Sequence, residues 1–128
     1  MRLLIDTHAA LWLFNEHENL SVPVRQHLLD EANELYISIA SAWEIAIKHS
    51  LGKLPGFNGG VKRFLNAVNE YPIKLLTISP KYVVAIEALP YIHRDPFDRI
   101  IIATAMCEDA TIVTSDENIR KYDIKCVW

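Results

Sequence analysis

A short apolar run that stops on a carboxylate constrains this chain more than any other feature. Arg2-Leu3-Leu4-Ile5 ends at Asp6, and Thr7 to Phe14 comes directly after it with helix-compatible composition. The same exchange of strand for helix recurs along the chain. Ser21 and Pro23 mark a helix start with Val24, Leu28 and Leu29 on one face. Leu35 to Ile39 is β-branched and aromatic, hence a second strand, and Ser41 can cap a helix carrying Trp43, Ile45, Ala46 and Ile47 that ends near Gly52. Leu54 to Gly60 is a loop by its turn residues, and Val61, Phe64, Leu65 and Val68 fall at helical spacing. Ile73 to Ile78 reads as a strand, Ser79-Pro80 as a helix start, and Pro90 as that helix's end. A loop then reaches Asp95-Pro96-Phe97-Asp98 before the apolar helix from Arg99 to Cys107. Thr111 to Thr114, a turn or short helix from Asp116 to Tyr122, and Ile124 to Trp128 complete the pattern. Strands alternating with helices predict an α/β fold: a three-layer α/β/α sandwich around a mainly parallel sheet of about five strands.

The 128 residues fit one domain, expected to span residues 1–128, and a hydrophobic content of 51% supplies a core of useful size. No apolar segment is long enough to cross a bilayer, and no signal core with a small-residue cleavage site is visible. A soluble, cytoplasmic protein is the expectation. Cys107 and Cys126, each in an apolar run without a Cys or His partner at ligand spacing, read as buried small hydrophobes rather than a zinc site or a disulfide.

In an open parallel sheet the functional crevice lies outside the carboxyl ends of the strands. Asp6 closes the first strand and Asp116 comes after the fourth through Thr114-Ser115. Glu44 lies in the helix after the second strand, and Asp98 in the first turn of the helix preceding the fourth. All four acids can therefore converge on one edge of the sheet. Such clustering is costly, since two like charges about 4 Å apart repel by about 4 kcal/mol at an effective dielectric near 20. A divalent cation is the usual compensation, and oxygen-only ligands favour Mg²⁺ first, with Mn²⁺ as substitute, over Zn²⁺. Such an ion can acidify a water and stabilise charge on a phosphodiester.

Each acid also has a purely structural reading. Asp6 and Asp116 can cap the helices after them, Glu44 can pair with Lys48 at i,i+4, and Asp98 can be a first-turn carboxylate favoured by the helix dipole. Asp95 before Pro96 fits an N-cap with proline at N1, which leaves it an additional ligand only in company with His93. Thr7, Thr114 and Ser115 are strand-end hydroxyls placed to orient a carboxylate or a water beside a cation. The net charge of −3 does not exclude a nucleic-acid partner, because setting aside the four acids leaves 13 basic against 12 acidic residues. Lys48, Arg94 and Arg99 are candidates to meet nucleic-acid phosphates, and equally solvated helix-end charges.

Leu3-Leu4-Ile5-Asp6-Thr7-His8, Ser38-Ile39-Ala40-Ser41-Ala42-Trp43-Glu44-Ile45, His93 to Arg99 with its apolar helix, Val113-Thr114-Ser115-Asp116 and the closing Tyr122 to Trp128 together resemble a PIN domain. More narrowly they resemble the VapC-type ribonuclease toxins of bacterial and archaeal toxin–antitoxin pairs. The resemblance implies a PIN-like fold, Mg²⁺- or Mn²⁺-dependent endonucleolytic cleavage of RNA, inhibition by a cognate antitoxin protein, and a homodimer. Carried over by motif, Asp6, Glu44, Asp98 and Asp116 match the four acids, and Asp95 is an extra carboxylate of one subgroup. The apolar and basic stretch from Leu51 to Tyr71 is a plausible antitoxin clip.

Two other classes compete. Phosphoryl transfer on an aspartate wants a second Asp two residues after the nucleophile, or an Asp at the third strand end with a downstream Lys. Here Thr7-His8 come after Asp6, and the third strand ends in Ile78-Ser79-Pro80. A non-catalytic interaction module on the same fold is the other reading, opposed by the presence of all four acids.

Overall fold

The computed structural model describes all 128 residues. Five strands, β1 (Arg2–Ile5), β2 (Glu34–Ser38), β3 (Ile73–Leu76), β4 (Thr111–Val113) and β5 (Cys126–Val127), form one sheet in the order β3-β2-β1-β4-β5. Every pairing is parallel. The helices are α1 (Thr7–Phe14), α2 (Val22–Leu29), α3 (Ile39–Ser50), α4 (Gly60–Glu70), α5 (Pro80–Ala88), α6 (Pro96–Glu108) and α7 (Glu117–Arg120).

Alternation along β1 divides the core in two. Leu3 and Ile5 point into a cluster with Ala9, Ala10 and Leu13 of α1, Val24 and Leu28 of α2, Ala42 and Ile45 of α3, and Phe64 and Val68 of α4. Leu4 points to the other face, against Ile101, Ile102 and Ala105 of α6 and Ile119 of α7. Side chains on a strand alternate between faces, so a strand buried on both must be apolar at successive positions. That is why Leu3-Leu4-Ile5 is an unbroken run, and it produces the expected three layers.

Several boundaries differ from the sequence expectation. Ser38, not Ser41, caps α3, its hydroxyl accepting from the Ala40 amide at 3.0 Å. The chain turns from strand to helix with no loop between, so Ser41 is already helical and buried. β3 stops at Leu76 rather than Ile78, and the last strand is only Cys126–Val127. Cys107 is exposed and Cys126 half-buried, both as free thiols. The core face of α6 is spent on Ile101, Ile102 and Ala105, and Cys107 falls outside it. The stretch from Leu51 to Tyr71 is a loop leading into α4. Two left-handed glycines (Gly59 φ 94°, Gly60 φ 66°) make that entry, where a Cβ on Gly60 would stand 2.8 Å from the His49 ring.

The strand order places β2 and β3 on one side of β1, and β4 and β5 on the other. The chain therefore reverses its direction of winding between β1 and β4. The crevice beyond their carboxyl ends is where such sheets carry their chemistry. Asp6 extends the β1–β4 ladder by one rung, its amide donating to Val113 O at 3.1 Å.

Candidate active site

Asp6 and Asp116 come from the two strands that flank this reversal. Asp6 is buried and caps α1, one carboxylate oxygen accepting from the Ala9 amide at 2.7 Å. Its other oxygen accepts from the buried Thr114 hydroxyl. Thr114 Oγ1 in turn accepts from the Asp116 amide at 3.0 Å, so one hydroxyl ties the ends of β1 and β4 together. Asp116 caps α7 through the Asn118 amide at 2.7 Å. The structural reading of both aspartates is realised alongside their convergence, because a cap leaves a carboxylate with further lone pairs. Ser115 is half-buried and makes no comparable link.

Glu44 reaches the site from α3. Thr7 donates to the Ser41 hydroxyl at 2.9 Å, both side chains buried, and so fastens the start of α1 to α3. One turn on, Glu44 is only 2% exposed. Its Oε2 accepts from Lys48 Nζ at 2.5 Å, whereas Oε1 is buried with no hydrogen-bond partner. A buried carboxylate oxygen left unpaired is costly in a protein interior. Burial works against the Lys48 charge, but the bond from Glu44, with the charges of Glu44, Asp95 and Asp98, holds the ammonium above its ordinary value.

Asp98 enters from the first turn of α6. Asp95 caps that helix, accepting from the Phe97 and Asp98 amides at 2.9 and 3.2 Å, with Pro96 at the first helical position. This is the cap geometry expected for Asp95, and it leaves Asp98 to face the crevice. Asp98 Oδ2 lies 3.1 Å from His93 Nε2, while His93 Nδ1 lies 2.9 Å from the Tyr122 hydroxyl. Arg99 Nη1 donates to that hydroxyl at 3.0 Å. The hydroxyl accepts from Arg99 and, at 3.4 Å, from the His93 amide; with both lone pairs used it donates a hydrogen bond to Nδ1, which assigns the tautomer whose Nε2–H donates to Asp98. The order Arg99, Tyr122, His93, Asp98 is a chain of aligned donors, and the fourth acid's orientation depends on it.

Arg99 is accordingly not a phosphate contact. It is 4% exposed, donates to the carbonyls of Ile86, Leu89 and Pro90 as well as to Tyr122, and lies 4.1 Å from the centre of the Tyr91 ring. The three isoleucines after it turn its side of α6 inward. Arg94 is exposed, and Lys48 is half-exposed beside Glu44.

The acids share one electrostatic field. Burial pushes Asp6 from its ordinary 3.8 up to about 6, against the bonds from Thr114 and Ala9, with the charges of Asp116 and Glu44 adding to the rise. Burial, then the Asp95 charge, pushes Asp98 up to about 6 against its bond to His93, and Asp116 and Glu44 add again. In this arrangement no three His, Cys, Asp or Glu side chains stand close enough to enclose an ion. The donor chemistry nevertheless suits a hard divalent cation: all oxygen, mutually repelling, and with Glu44 Oε1 unsatisfied.

The family model of the PIN domain matches residues 3–125. The chain belongs to the PIN domain family. It is 29% identical over 121 residues to ribonuclease VapC22 of Mycobacterium tuberculosis (strain ATCC 25618 / H37Rv), covering 94% of this chain and 91% of that protein. Among solved structures, the PIN fold seen here is similar to VapBC2 from Rickettsia felis bound to a promoter DNA fragment, with a TM-score of 0.74 at 18% identity, covering 99% of this chain and 98% of that one. DNA-bound VapBC from Salmonella typhimurium gives 0.69 at 15% identity, covering 99% and 97%. FitAcB from Neisseria gonorrhoeae gives 0.65 at 17%, covering 98% and 96%. At these identities the structures establish the fold, a five-stranded parallel PIN sheet, and nothing finer. No helix of this PIN domain is long and apolar enough to cross a membrane.

The sequence alone does not bring out the His93–Tyr122 link. Its two residues are 29 apart, and only the proximity of His93 to Asp98 in the chain hints at it.

Proposed function

We propose that the chain is a divalent-metal-dependent endoribonuclease, the toxin of a toxin–antitoxin pair. The observation that carries this reading is the charge that Asp116 and Glu44 exert on both Asp6 and Asp98 around the β1–β4 reversal of a PIN domain whose relative is a ribonuclease. Asp6, Asp98 and Asp116 would hold the cation, Mg²⁺ or Mn²⁺ in its place, and Glu44 a second ion or the attacking water. When bound, the ion supplies an acidified water and charge stabilisation at the phosphodiester. Thr114 orients Asp6, and His93 orients Asp98. Lys48 neutralises Glu44 and offers a positive charge to phosphate at the rim, with the exposed Arg94 as a second candidate. Asp95 serves as the α6 cap, with a place in the ligand set only as a supplement.

The VapBC neighbours are toxin–antitoxin proteins, which supports an antitoxin partner for this chain. A homodimer and a single domain spanning residues 1–128 complete the proposal. The phosphoryl-transfer alternative gains nothing from the site: Thr7-His8, not a second aspartate, come after Asp6, and β3 leads into Thr77-Ile78-Ser79 with no aspartate at its end.

Purified protein should cut RNA with Mg²⁺ or Mn²⁺ and stop on addition of chelator. Asp6→Asn and Asp98→Asn should each lose about 100-fold or more in cleavage rate, the scale expected when transition-state charge loses its stabilisation. Variants cutting as fast as the parent would sink the assignment.

A further inference from the structure

Beside the carboxylates lies a cleft of about 350 Å³, formed by α1, α3 and the loop between α3 and α4. Two of its lining residues tie it to the site: Thr7 is next to Asp6 in the chain, and Lys48 contacts Glu44. Its remaining chemistry is distinctive. Four other clefts of the surface each contain at least one carboxylate: Glu16 and Glu70 in one, Asp30 and Glu31 in another, Glu108 in a third, Asp109 and Asp123 in the fourth. The cleft beside the site contains none, in a chain of net charge −3. It carries instead Lys48 and Lys53 and a row of flat rings. Trp12 stacks on His17 (centroids 5.9 Å apart, planes 25° apart) and neighbours the exposed His8 ring at 6.2 Å. Lys53 is exposed and enters none of the five ion pairs of the molecule.

An ammonium group with no carboxylate partner, that of Lys53, beside flat rings is what single-stranded nucleic acid requires: a cation for a phosphate and planar surfaces for unpaired bases. Resting on the ribonuclease reading above, we infer that this cleft is a subsite for single-stranded RNA, holding the nucleotide next to the scissile phosphate. Lys53 meets a phosphate, a base lies along the His8–Trp12 rings, and Lys48 stands between subsite and carboxylates.

The test is binding of a labelled, mixed-sequence single-stranded oligoribonucleotide to the full chain in chelator, where cleavage is stopped, monitored by anisotropy across a KCl series. Lys53→Ala should weaken binding several-fold and make the log–log salt dependence shallower by about 0.7, the value for one phosphate contact on a single strand. His8→Ala should weaken binding of the normal strand and erase its advantage over an abasic strand of equal length. Lys62→Ala, in a cleft that also holds acids, should leave affinity and slope unchanged. With Mg²⁺ present, Lys53→Ala should raise KM and spare kcat. Parental affinity and slope in Lys53→Ala would overturn the subsite even if Asp6→Asn is inactive, whereas unimpaired cleavage by Asp6→Asn would overturn the ribonuclease site itself. Unchanged RNA affinity in Lys53→Glu, with loss of a co-expressed antitoxin, would make the cleft a protein dock and refute the inference.

Discussion

The seam between β1 and β4 and the first turn of α6 each deliver an aspartate to the same crevice, by different means. Asp6 is held by elements that the fold must build anyway: a strand end, a helix cap and one hydroxyl from the neighbouring strand. Asp98 is held by side chains from three separate segments, the loop residue His93, Tyr122 beyond α7, and Arg99 below them. Backbone-anchored acids inherit the rigidity of the sheet. A side-chain-anchored acid is only as well placed as the network behind it.

Arg99→Ala should have the largest effect. It leaves three backbone carbonyls and the Tyr122 hydroxyl short of a charged donor, at a cost of about 3 kcal/mol or more, readable from urea unfolding. Next comes Thr114→Val, which strikes the other region. Losing the donor to Asp6 and the acceptor for the Asp116 amide should cost about 2 kcal/mol and reduce cleavage. If Thr114→Val is harmless, the backbone alone holds Asp6 and the contrast deepens. Tyr122→Phe removes the hydroxyl that joins Arg99 to the His93 ring and also accepts from the His93 amide, and should cost about 1 kcal/mol in unfolding experiments. It should also lower kcat with little change in KM, since only the orientation of Asp98 is disturbed. An unaltered kcat would reduce the chain from Arg99 to Asp98 to a purely structural feature.

The smallest effect concerns charge. Asp6 and Asp98 both have folded-state pKa values raised from 3.8 to about 6. Their contribution to stability is therefore fully present below pH 3.8 and is lost as the pH rises through about 6. In chelator, Asp98→Asn should flatten that decline and raise Tm at pH 7.5 by about 2 °C, a gain of about 0.5 kcal/mol after loss of the His93 bond. Added Mg²⁺ should stabilise the parent more than the variant. Equal responses in scanning calorimetry would mark Asp98 as an ordinary surface acid.

The same contrast explains how much can be read from the chain. Asp6 is legible because Leu3-Leu4-Ile5 must be a strand buried on both faces, and a residue just past its carboxyl end borders the crevice. The Asp95 cap is legible from the proline after it. Arg99 is misjudged as a phosphate contact: the residue after Asp98 looks like an exposed helix start, and nothing local shows that the carbonyls of residues 86, 89 and 90 wrap over it. The run Ile100-Ile101-Ile102 is the available warning, since an inward-facing helix carries its flanking residue inward too. Ser38 and Ser41 are indistinguishable as caps, because strand passes to helix with no loop. The carboxylate-free cleft is invisible in the sequence, as Trp12 and Lys53 meet only through the packing of α1 on the loop after α3.

The central claim, that Asp6, Asp98 and Asp116 hold a divalent cation with Glu44 beside it, is tested most directly by anomalous scattering from crystals of the protein soaked in Mn²⁺. The expected result is a peak at the β1–β4 reversal bounded by carboxylate oxygens of Asp6, Asp98 and Asp116, absent from Asp98→Asn crystals. Mn²⁺ bound only elsewhere, or a peak there whose ligands omit Asp6, would contradict it.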